Sequence, residues 1–251
     1  MLVRVMTYNI LDGGIGRESA IRSIVRENRP DILVFQEVID GELPAAIAND
    51  NDLHLIQTDY DGRRRVCILT RYPVLNQRLV RLSRSWRQAL RVDLNLGSRQ
   101  LSVVGVHPIA NPAWWFEFLR VREAEVYLRL ARETSDDSLI VGDMNAVGPG
   151  DPVRLKSYPV WLQLMLFAQG YRVYTWAIEE YLRAGYVDVF RTCNPHDSGW
   201  TLPANKPNTR LDYIFASRSF SGQIRGCRVV DKPVVVRTAS DHLPVMAVFE
   251  L

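Results

Sequence analysis

The sequence Ser240-Asp241-His242-Leu243 lies a few residues before the end of the chain. An apolar stretch at residues 233–236 precedes it, and a strand-like run at residues 245–249 follows. An aspartate next to a histidine at the start of a strand offers a metal ligand and a proton-transfer group at one place. The pair alone does not define a site, so its meaning depends on other polar residues in the same kind of position.

Three other polar stretches also follow apolar runs. They are Asn9, Gln36-Glu37 and Gly142-Asp143-Met144-Asn145. Each places an amide or a carboxylate where a strand is expected to end. Repetition of this kind predicts a β-rich enzyme that gathers one polar site from distant parts of the chain.

Size and composition indicate a soluble globular protein. The chain has 251 residues, of which 47% are hydrophobic and 24% charged. No apolar run reaches the roughly 18 residues of a membrane span, and no linker or repeat divides the sequence, so we expect one domain over residues 1–251. The first strand is expected to begin near Met1, which leaves no room for a signal peptide and favours a cytoplasmic location. No feature indicates an obligate protein partner.

The net charge of +3 permits a polyanionic partner without requiring one. Arginines are concentrated at residues 63–65 and 78–91, and we interpret each cluster as a solvated surface, with a nucleic-acid backbone contact as the alternative. The three cysteines are widely spaced, which predicts reduced buried thiols rather than a metal or redox site.

Hydrophobic periodicity predicts many strands and few helices. Strands are expected at residues 3–8, 32–35, 66–70, 88–96, 101–106, 138–141, 211–216, 226–230 and 245–249. Helices are expected at residues 19–28, 43–48, 114–134 (opened near Pro112) and 177–184. This order predicts two packed sheets with helices outside them.

Residues 148–186 interrupt the strand pattern and are interpreted as a helical insertion. Residues 161–167 within it are strongly apolar. We interpret them as an extra helix packed on the core. The alternative is a hydrophobic substrate lid or a surface that touches a membrane.

The polar residues suit a hard divalent cation. Mg²⁺ is usually held by one or two carboxylates with waters and substrate phosphate. Glu37 is the best single ligand, because it follows a buried strand and a glutamine that can brace it. Asn9 supplies an amide oxygen and Asp241 a second carboxylate. No cluster with zinc spacing is present in the sequence.

The remaining candidates suit water attack on a phosphoester. Asp143 and Asn145 would point to one side of an extended chain, where one could hold or deprotonate water and the other orient it. His242 can transfer a proton, with Asp212 a candidate to orient its ring. His107 could donate a hydrogen bond to a phosphoryl oxygen. Individually, each of these residues could be a turn former, a helix cap or a structural ion-pair partner.

The motifs together resemble a known family. In chain order they are Thr7-Tyr8-Asn9-Ile10, Phe35-Gln36-Glu37-Val38, Val106-His107, Gly142-Asp143-Met144-Asn145, Arg210-Leu211-Asp212-Tyr213-Ile214 and Ser240-Asp241-His242. They resemble the endonuclease/exonuclease/phosphatase superfamily, which includes pancreatic-type DNase, abasic-site exonucleases, neutral sphingomyelinases and inositol polyphosphate 5-phosphatases. The resemblance runs along the whole chain.

The resemblance implies a four-layered α/β/β/α sandwich, with two mixed sheets face to face and the site at one mouth. It implies Mg²⁺ or Mn²⁺ held by Glu37, Asn9 and Asp241. It also implies that Asp212 orients His242, that His107 contacts the phosphate, and that Asp143 and Asn145 lie near the attacking water. We take His242 as the proton-transfer group, with Asp143 as its rival.

The substrate stays open at this point. The abasic-site branch carries a Tyr-x-Pro-Asn pattern where this chain has His107-Pro108-Ile109-Ala110-Asn111, which argues against a dedicated abasic-site enzyme. The first hypothesis is a nuclease that cleaves DNA or RNA. The second is a phosphodiesterase or phosphatase acting on a lipid or a small phosphorylated molecule. A non-catalytic binding module is the third, and the full set of polar residues argues against it.

Overall fold

The structure of the protein is a computed structural model that describes residues 1–57, 64–82, 87–111 and 113–251. Arg63, the part of the second arginine-rich stretch at residues 83–86, and Pro112 lie outside the described residues.

The described residues form twelve strands. They are β1 Leu2–Asn9, β2 Ile32–Val38, β3 His54–Ile56, β4 Arg65–Thr70, β5 Val74–Arg81, β6 Gln88–Asn95, β7 Gln100–Val106, β8 Ser138–Asp143, β9 Val187–Asp188, β10 Asp212–Ala216, β11 Ile224–Val229 and β12 Val245–Glu250. The same residues contain eight α-helices. They are α1 Glu18–Asn28, α2 Glu42–Asn51, α3 Trp114–Ala131, α4 Val160–Ala168, α5 Trp176–Arg183, α6 Val189–Cys193, α7 Arg218–Ser221 and α8 Val236–Ala239.

Each sheet has six strands among the described residues. The first sheet has the order β11-β12-β1-β2-β4-β3, and the second has the order β5-β6-β7-β8-β10-β9. One parallel pair lies inside each sheet, β1 with β2 and β7 with β8, and the other neighbours are antiparallel. Both sheets are therefore mixed, as predicted.

Alternating side chains explain how the sheets pack. In β1, Val3 and Val5 belong to the core between the two sheets, whereas Met6 and Tyr8 face the other way. The opposite faces of one strand are thus both buried, which a continuous apolar run allows. At Gly105 an added Cβ would lie 2.7 Å from a methyl carbon of Val66 in the first sheet, so the sheets approach each other closely there.

Two further cores cover the outer faces. Residues of α1 and α2 pack on the first sheet, and residues of α3 and α5 pack on the second. The resulting order of layers is helix, sheet, sheet and helix. The predicted α/β/β/α sandwich is confirmed.

Three of the observed strands, β3, β5 and β9, were not predicted from the sequence. β5 is exposed along almost its whole length, so its residues show no alternation of apolar and polar side chains. β3 and β9 have three and two residues, too few for a periodic signal. The three cysteines are free, with Cys67 and Cys227 buried and Cys193 only partly so.

The segment at residues 148–186 contains a short 3-10 helix and the helices α4 and α5. The interpretation of residues 161–167 as a helix packed on the core is wrong, because α4 buries only Leu166. Four of its side chains, Val160, Trp161, Leu164 and Phe167, are 62–70% exposed. Across the described residues, no helix combines the length and apolar character needed to cross a membrane.

Candidate active site

Strand alternation directs four of the predicted residues toward one mouth of the sandwich. Along β1, Val3 and Val5 face the core between the sheets, and Asn9 lies on the same face. Because side chains alternate along a strand, His107, directly after β7, continues the face that points into the core between the sheets. Asp143 in β8 and Asp212 in β10 lie on the faces of those strands that point into the same core. Asp143 and Asp212 are also direct partners across the β8–β10 pair. The pattern therefore brings residues from both sheets together.

Glycine at position 142 allows two of these strands to approach. An added Cβ at Gly142 would lie 2.0 Å from the carbonyl oxygen of Val106, a distance that no side chain tolerates. Val106 and Gly142 are partners in the parallel β7–β8 pair. Close pairing at this point sets His107 beside Asp143 immediately after it.

Glu37 reaches the site through an irregularity in β2. Its place in the strand would put it on the face of Leu33 and Phe35, away from the mouth. However, the β2–β4 register shifts between Phe35 and Val38, and Glu37 has a left-handed φ of 62°. A β-bulge of this kind redirects a side chain. The Glu37 Oε1 atom then accepts a hydrogen bond from Asn9 Nδ2 at 3.4 Å.

Asp143 is the centre of the cluster. Its Oδ2 atom accepts a hydrogen bond from Asn9 Nδ2 at 3.0 Å. The Nε2 atoms of His107 and His242 lie 3.6 Å and 3.7 Å from the same oxygen. His107 Nε2 is also 3.9 Å from Glu37 Oε1. Five of the predicted residues are thus connected through Asp143 and Glu37, and all five are buried.

His242 and Asp212 form a second buried pair. Nδ1 of His242 lies 2.8 Å from Asp212 Oδ2. Because Nδ1 is engaged in this way, the opposite nitrogen, Nε2, points toward Asp143. The predicted orienting contact is present in the structure, although the role of each residue stays a prediction.

Charge and burial shift the pKa values within the cluster. Burial opposes the imidazolium, but the carboxylates of Asp212 and Asp143 outweigh it and raise the pKa of His242 to about 10. Burial would raise the pKa of Asp143, but the charge of His242 and the hydrogen bond to His107 hold it well below its usual range. For Asp212, burial dominates and raises the pKa despite the neighbouring imidazole. At neutral pH this arrangement favours a charged His242 next to an ionised Asp143.

Asp241 lies at the edge of the cluster, between the buried residues Ser240 and His242. The Ser240 hydroxyl donates to the carbonyl oxygen of Asn9 at 2.7 Å, and the carbonyl oxygen of Asp241 accepts from the Ala204 N–H at 2.6 Å. The Asp241 carboxylate is partly exposed and acts electrostatically on Arg64. The motif at residues 240–242 is therefore tied to the end of β1 by the Ser240 hydroxyl, and to Ala204 by the Asp241 backbone.

Two expectations about neighbouring residues are wrong. Gln36 does not brace Glu37: its side chain accepts from the Thr7 hydroxyl at 3.1 Å and donates to the Val34 carbonyl. The chain is not extended from Asp143 to Asn145, because Asn145 has a left-handed φ of 48°. Asn145 instead donates its backbone N–H to Asp143 Oδ1 at 2.9 Å and its side-chain amide to the Pro108 carbonyl at 3.2 Å.

Three residues at the site were not singled out from the sequence. The Asp12 N–H donates to Glu37 Oε2 at 3.2 Å, and Arg64 Nε lies 3.2 Å from the same oxygen. Arg64 also pairs with the Asp12 carboxylate at 2.6 Å. Arg87 approaches Nδ1 of His107 at 3.3 Å. Both arginines belong to the arginine-rich stretches, but nothing in those stretches distinguishes them from their neighbours.

Two sets of side chains at the site are candidate metal ligands: Asp143, Asp212 and His242, and the predicted set Glu37, Asn9 and Asp241. Ligand atoms of Asp143, Asp212 and His242 lie within 4.8 Å of one another. The 2.8 Å contact inside that set is a hydrogen bond, so it suits proton transfer better than coordination. One carboxylate oxygen of Glu37 instead faces the guanidinium of Arg64. Positive charge therefore already lies next to this carboxylate, at a position that suits a cation. Carboxylate oxygens such as those of Glu37 and Asp241 fit a hard cation. Asn9 instead turns its Nδ2 atom toward Glu37, and its Oδ1 atom accepts from the Leu11 N–H at 3.0 Å, so its amide would have to turn over to supply an oxygen ligand.

The chain matches one family model and is similar in fold to several solved structures. The model of the endonuclease/exonuclease/phosphatase family matches residues 6–242. An AP endonuclease from Archaeoglobus fulgidus is similar in structure, with a TM-score of 0.75 and 19% identity over 99% of this chain and 100% of that one. A 3′ phosphatase, NExo, from Neisseria, bound to a product DNA hairpin, gives a TM-score of 0.76 and 16% identity over 99% and 100% of the two chains.

Humanized TDP2 from D. rerio gives a TM-score of 0.71 and 16% identity over 100% of this chain and 99% of that one. At these identities the solved structures establish the fold alone. No curated protein sequence matches the chain. The match to the family model covers nearly the whole chain, and the chain therefore belongs to the endonuclease/exonuclease/phosphatase family.

Proposed function

We propose that this protein is a divalent-metal-dependent phosphoester hydrolase in which water attacks phosphorus, and that its substrate is a nucleic-acid phosphodiester. One observation carries the proposal: side chains from six separate parts of the chain meet at one mouth of the sandwich. They are Asn9, Glu37, His107, Asp143, Asp212 and His242. A purely structural cluster would not need two histidines and three buried carboxylates in contact.

The proposed metal ligands are Glu37, Asn9 and Asp241, and the proposed ion is Mg²⁺ or Mn²⁺. When bound, the ion would stabilise negative charge on the phosphoryl oxygens and lower the pKa of water. The Asp12 N–H holds one Glu37 oxygen in place, and Arg64 neutralises the same carboxylate. These contacts support Glu37 as the principal ligand.

His242 is the proposed proton-transfer group. Asp212 fixes the orientation of its ring, and the free side of the ring faces Asp143. Asp143 is the rival for this role, because its carboxylate lies at the centre of the cluster. Asn145 is proposed to orient the substrate or water beside Asp143, and its backbone contact with that carboxylate supports a position near the attacking water.

His107 is the proposed contact to the phosphoryl group. Its Nε2 atom faces the two carboxylates, and Arg87 lies against its other nitrogen. A donor fixed in this way can stabilise the charge that develops on the phosphoryl oxygens. Arg87 adds positive charge next to that donor.

The nucleic-acid substrate is proposed from the neighbours rather than from the arginine clusters. Of the arginines in the predicted clusters, Arg64 and Arg78 each pair with an acidic side chain, and Arg91 is buried against Asp93 and Glu133. Those pairs weaken the idea that these arginines follow a nucleic-acid backbone. In contrast, an AP endonuclease and a phosphatase bound to a DNA hairpin share the fold over almost the whole chain.

The test is a panel of phosphoesters incubated with the purified protein and Mg²⁺ or Mn²⁺. We expect cleavage of single- or double-stranded oligonucleotides that stops with EDTA and returns when metal is added back. Binding should weaken steeply as salt increases, because phosphate contacts release counterions. Hydrolysis that is unchanged after complete metal removal would contradict the mechanism. Activity on other phosphoesters without any cleavage of nucleic acid would contradict the substrate.

A lipid or small-molecule phosphodiesterase is the second candidate, and the exposed surface of α4 favours it. An uncharged helix with four large apolar side chains facing water is typical of a membrane contact. In this case the protein would sediment with phospholipid vesicles, and Phe167→Asp would abolish sedimentation. A cytoplasmic location stays a prediction under both candidates.

A further inference from the structure

A cavity of about 420 Å³ lies next to the candidate active site. It is bounded by the start of α3, by α4, and by residues Asn145, Ala146 and Leu211. Asn145 contacts Asp143, and Leu211 precedes Asp212 in the chain. Its size falls within the range of small-molecule pockets, roughly 300–1,000 Å³. A group attached to a phosphate at the mouth can therefore extend into it.

Besides eight aliphatic side chains, four aromatic ones line the cavity. They are Trp114, Tyr158, Trp161 and Tyr174. Polar groups lie among the rings, namely the amides of Asn111 and Asn145 and the guanidinium of Arg172. The amides of Asn111 and Asn145 each have a partner in the protein, the Ala113 N–H at 2.9 Å and the Pro108 carbonyl at 3.2 Å. An aliphatic chain would offer no further partner to the polar groups of the wall. A heteroaromatic ring would stack on the aromatic walls and leave its polar edge available to them.

The base of the cavity is held by a buried ion pair. Arg120 pairs with Glu117 at 2.7 Å and donates to the carbonyl oxygens of Ile109 and Asn111 at 3.0 Å and 2.7 Å. Glu117 also accepts a hydrogen bond from the Ala177 N–H at 2.9 Å. The loop after His107, the helix α3 and the helix α5 are joined through these contacts. This side of the cavity is thus fixed by contacts within the protein.

We propose that this cavity binds an aromatic ring carried by the phosphoester substrate, either a nucleobase or the aryl group of a small phosphoester. The inference rests on the proposed phosphoester hydrolysis, since it assigns a place to one part of that substrate. Trp161 is the specificity residue of the cavity. It lines the cavity and is 63% exposed, so it forms part of the entrance.

Phosphonates test the proposal without turnover, because their carbon–phosphorus bond is not hydrolysed. Binding of benzylphosphonate, methylphosphonate and octylphosphonate is measured by calorimetry with Mn²⁺ present. We expect benzylphosphonate to bind about tenfold or more tightly than methylphosphonate, as stacking of one ring predicts. Octylphosphonate should lack that advantage.

Two tryptophan variants supply the matched comparison. Trp161→Ala removes a wall of the cavity, and Trp115→Ala removes a tryptophan that is 53% exposed and lies outside it. In Trp161→Ala the preference for benzylphosphonate over methylphosphonate should fall to about threefold or less, consistent with loss of one stacking contact. In Trp115→Ala the preference should be unchanged. Both tryptophans are exposed, so both variants are expected to fold.

A second binding comparison, made with nucleotides, distinguishes a nucleobase from a small aryl group as the ring that the cavity binds. Thymidine monophosphate is compared with deoxyribose phosphate on the same three proteins. A preference for the nucleotide that Trp161→Ala abolishes identifies a nucleobase. A preference limited to benzylphosphonate identifies a small aryl phosphoester, and both results support the proposal.

Several results would overturn the assignment of the cavity. They are equal affinity for benzylphosphonate and methylphosphonate, undetectable binding of benzylphosphonate, a preference that survives in Trp161→Ala, and tighter binding of octylphosphonate than of benzylphosphonate.

Hydrolysis of a p-nitrophenyl phosphodiester is measured on the same preparations. Loss of hydrolysis with the ring preference intact would count against the proposed function alone. Hydrolysis without the preference would count against the cavity alone.

Discussion

His242 uses both of its ring nitrogens within the cluster. One faces Asp212 at 2.8 Å, and the other faces Asp143 at 3.7 Å. Two carboxylates on opposite sides of one buried ring restrict it to a single orientation. A reacting water or phosphoryl oxygen on the Asp143 side would therefore meet a fixed imidazole.

Replacing His242 with alanine should lower kcat/KM for a phosphodiester by roughly 10²–10⁴-fold, the usual contribution of a positioned proton-transfer group. Steady-state kinetics at saturating metal would measure the loss. His54→Ala is the matched control, since His54 is exposed on β3. Near-normal turnover of His242→Ala, in a protein whose circular dichroism is unchanged, would contradict the proposed role.

Glu37→Gln should weaken metal binding while keeping the shape of the side chain. An amide supplies only one oxygen and no charge, so we expect the metal concentration for half-maximal activity to rise about 10–100-fold. Direct calorimetric titration with Mn²⁺ gives a second measurement that does not need turnover. Glu42→Gln, on the exposed start of α2, is the control. Unchanged Mn²⁺ affinity in Glu37→Gln would exclude Glu37 as the principal ligand.

The residue types of the site were predictable, but their geometry was not. Asn9, His107, Asp143 and Asp212 follow apolar alternation closely enough for their faces to be inferred from sequence. Glu37 depends on a left-handed backbone at φ 62°, which glutamate rarely adopts. Asn145 has φ 48°, which suits asparagine, but the sequence did not place this turn directly after Asp143. Arg64 and Arg87 resemble other arginines until the fold brings them to the cluster.

Elements with two buried faces were the easiest to predict. The strand β2 alternates between the core between the sheets and the core under α1 and α2, and its apolar run is continuous for that reason. The edge strand β5 is exposed along most of its length, so its sequence shows neither a continuous apolar run nor a regular apolar–polar alternation. The helix α4 misled the interpretation, because an apolar sequence usually indicates burial, whereas this one faces water.

The contact between β7 and β8 makes a prediction about stability. Gly142→Ala would place a methyl group 2.0 Å from the Val106 carbonyl oxygen, so the strands would have to separate. We expect a loss of about 3 kcal/mol or more in the free energy of unfolding. Gly222→Ala is the control, since its added Cβ would meet nothing within 4 Å. Urea denaturation of both variants measures the difference, and equal stability would contradict the close pairing.

At the scale of the whole molecule, a buried network joins the insertion to the second sheet. Arg210 donates to Asp151 Oδ2 at 2.9 Å and to Asp188 Oδ1 at 3.0 Å, and its guanidinium lies 4.3 Å from the centroid of the Tyr213 ring. Asp151 is at the start of the segment 148–186, and Asp188 follows its end. One side chain thus fixes both ends of the segment that carries the cavity.

Arg210→Ala should destabilise the protein by about 3–5 kcal/mol, because it leaves the buried Asp188 carboxylate without its cation and removes one of the two arginines that pair with Asp151. Arg225→Ala removes an exposed pair with Glu250 and should change the free energy of unfolding far less than Arg210→Ala does. Chemical denaturation of both variants gives the comparison. If Arg210→Ala were as stable as Arg225→Ala, the network would not hold the segment in place.

The pairing of β1 with β12 has a consequence for biosynthesis. Leu2 is opposite Glu250, so two of the central strands of the first sheet come from distant ends of the sequence described here. Residues 245–250, through their pairing with β1, bring the preceding His242 to the end of β1 where Asn9 lies. A nascent chain lacking them would expose an unpaired edge on β1, and it would have neither a closed sheet nor a working centre. We therefore expect folding and the onset of catalysis to coincide, once β12 has paired with β1.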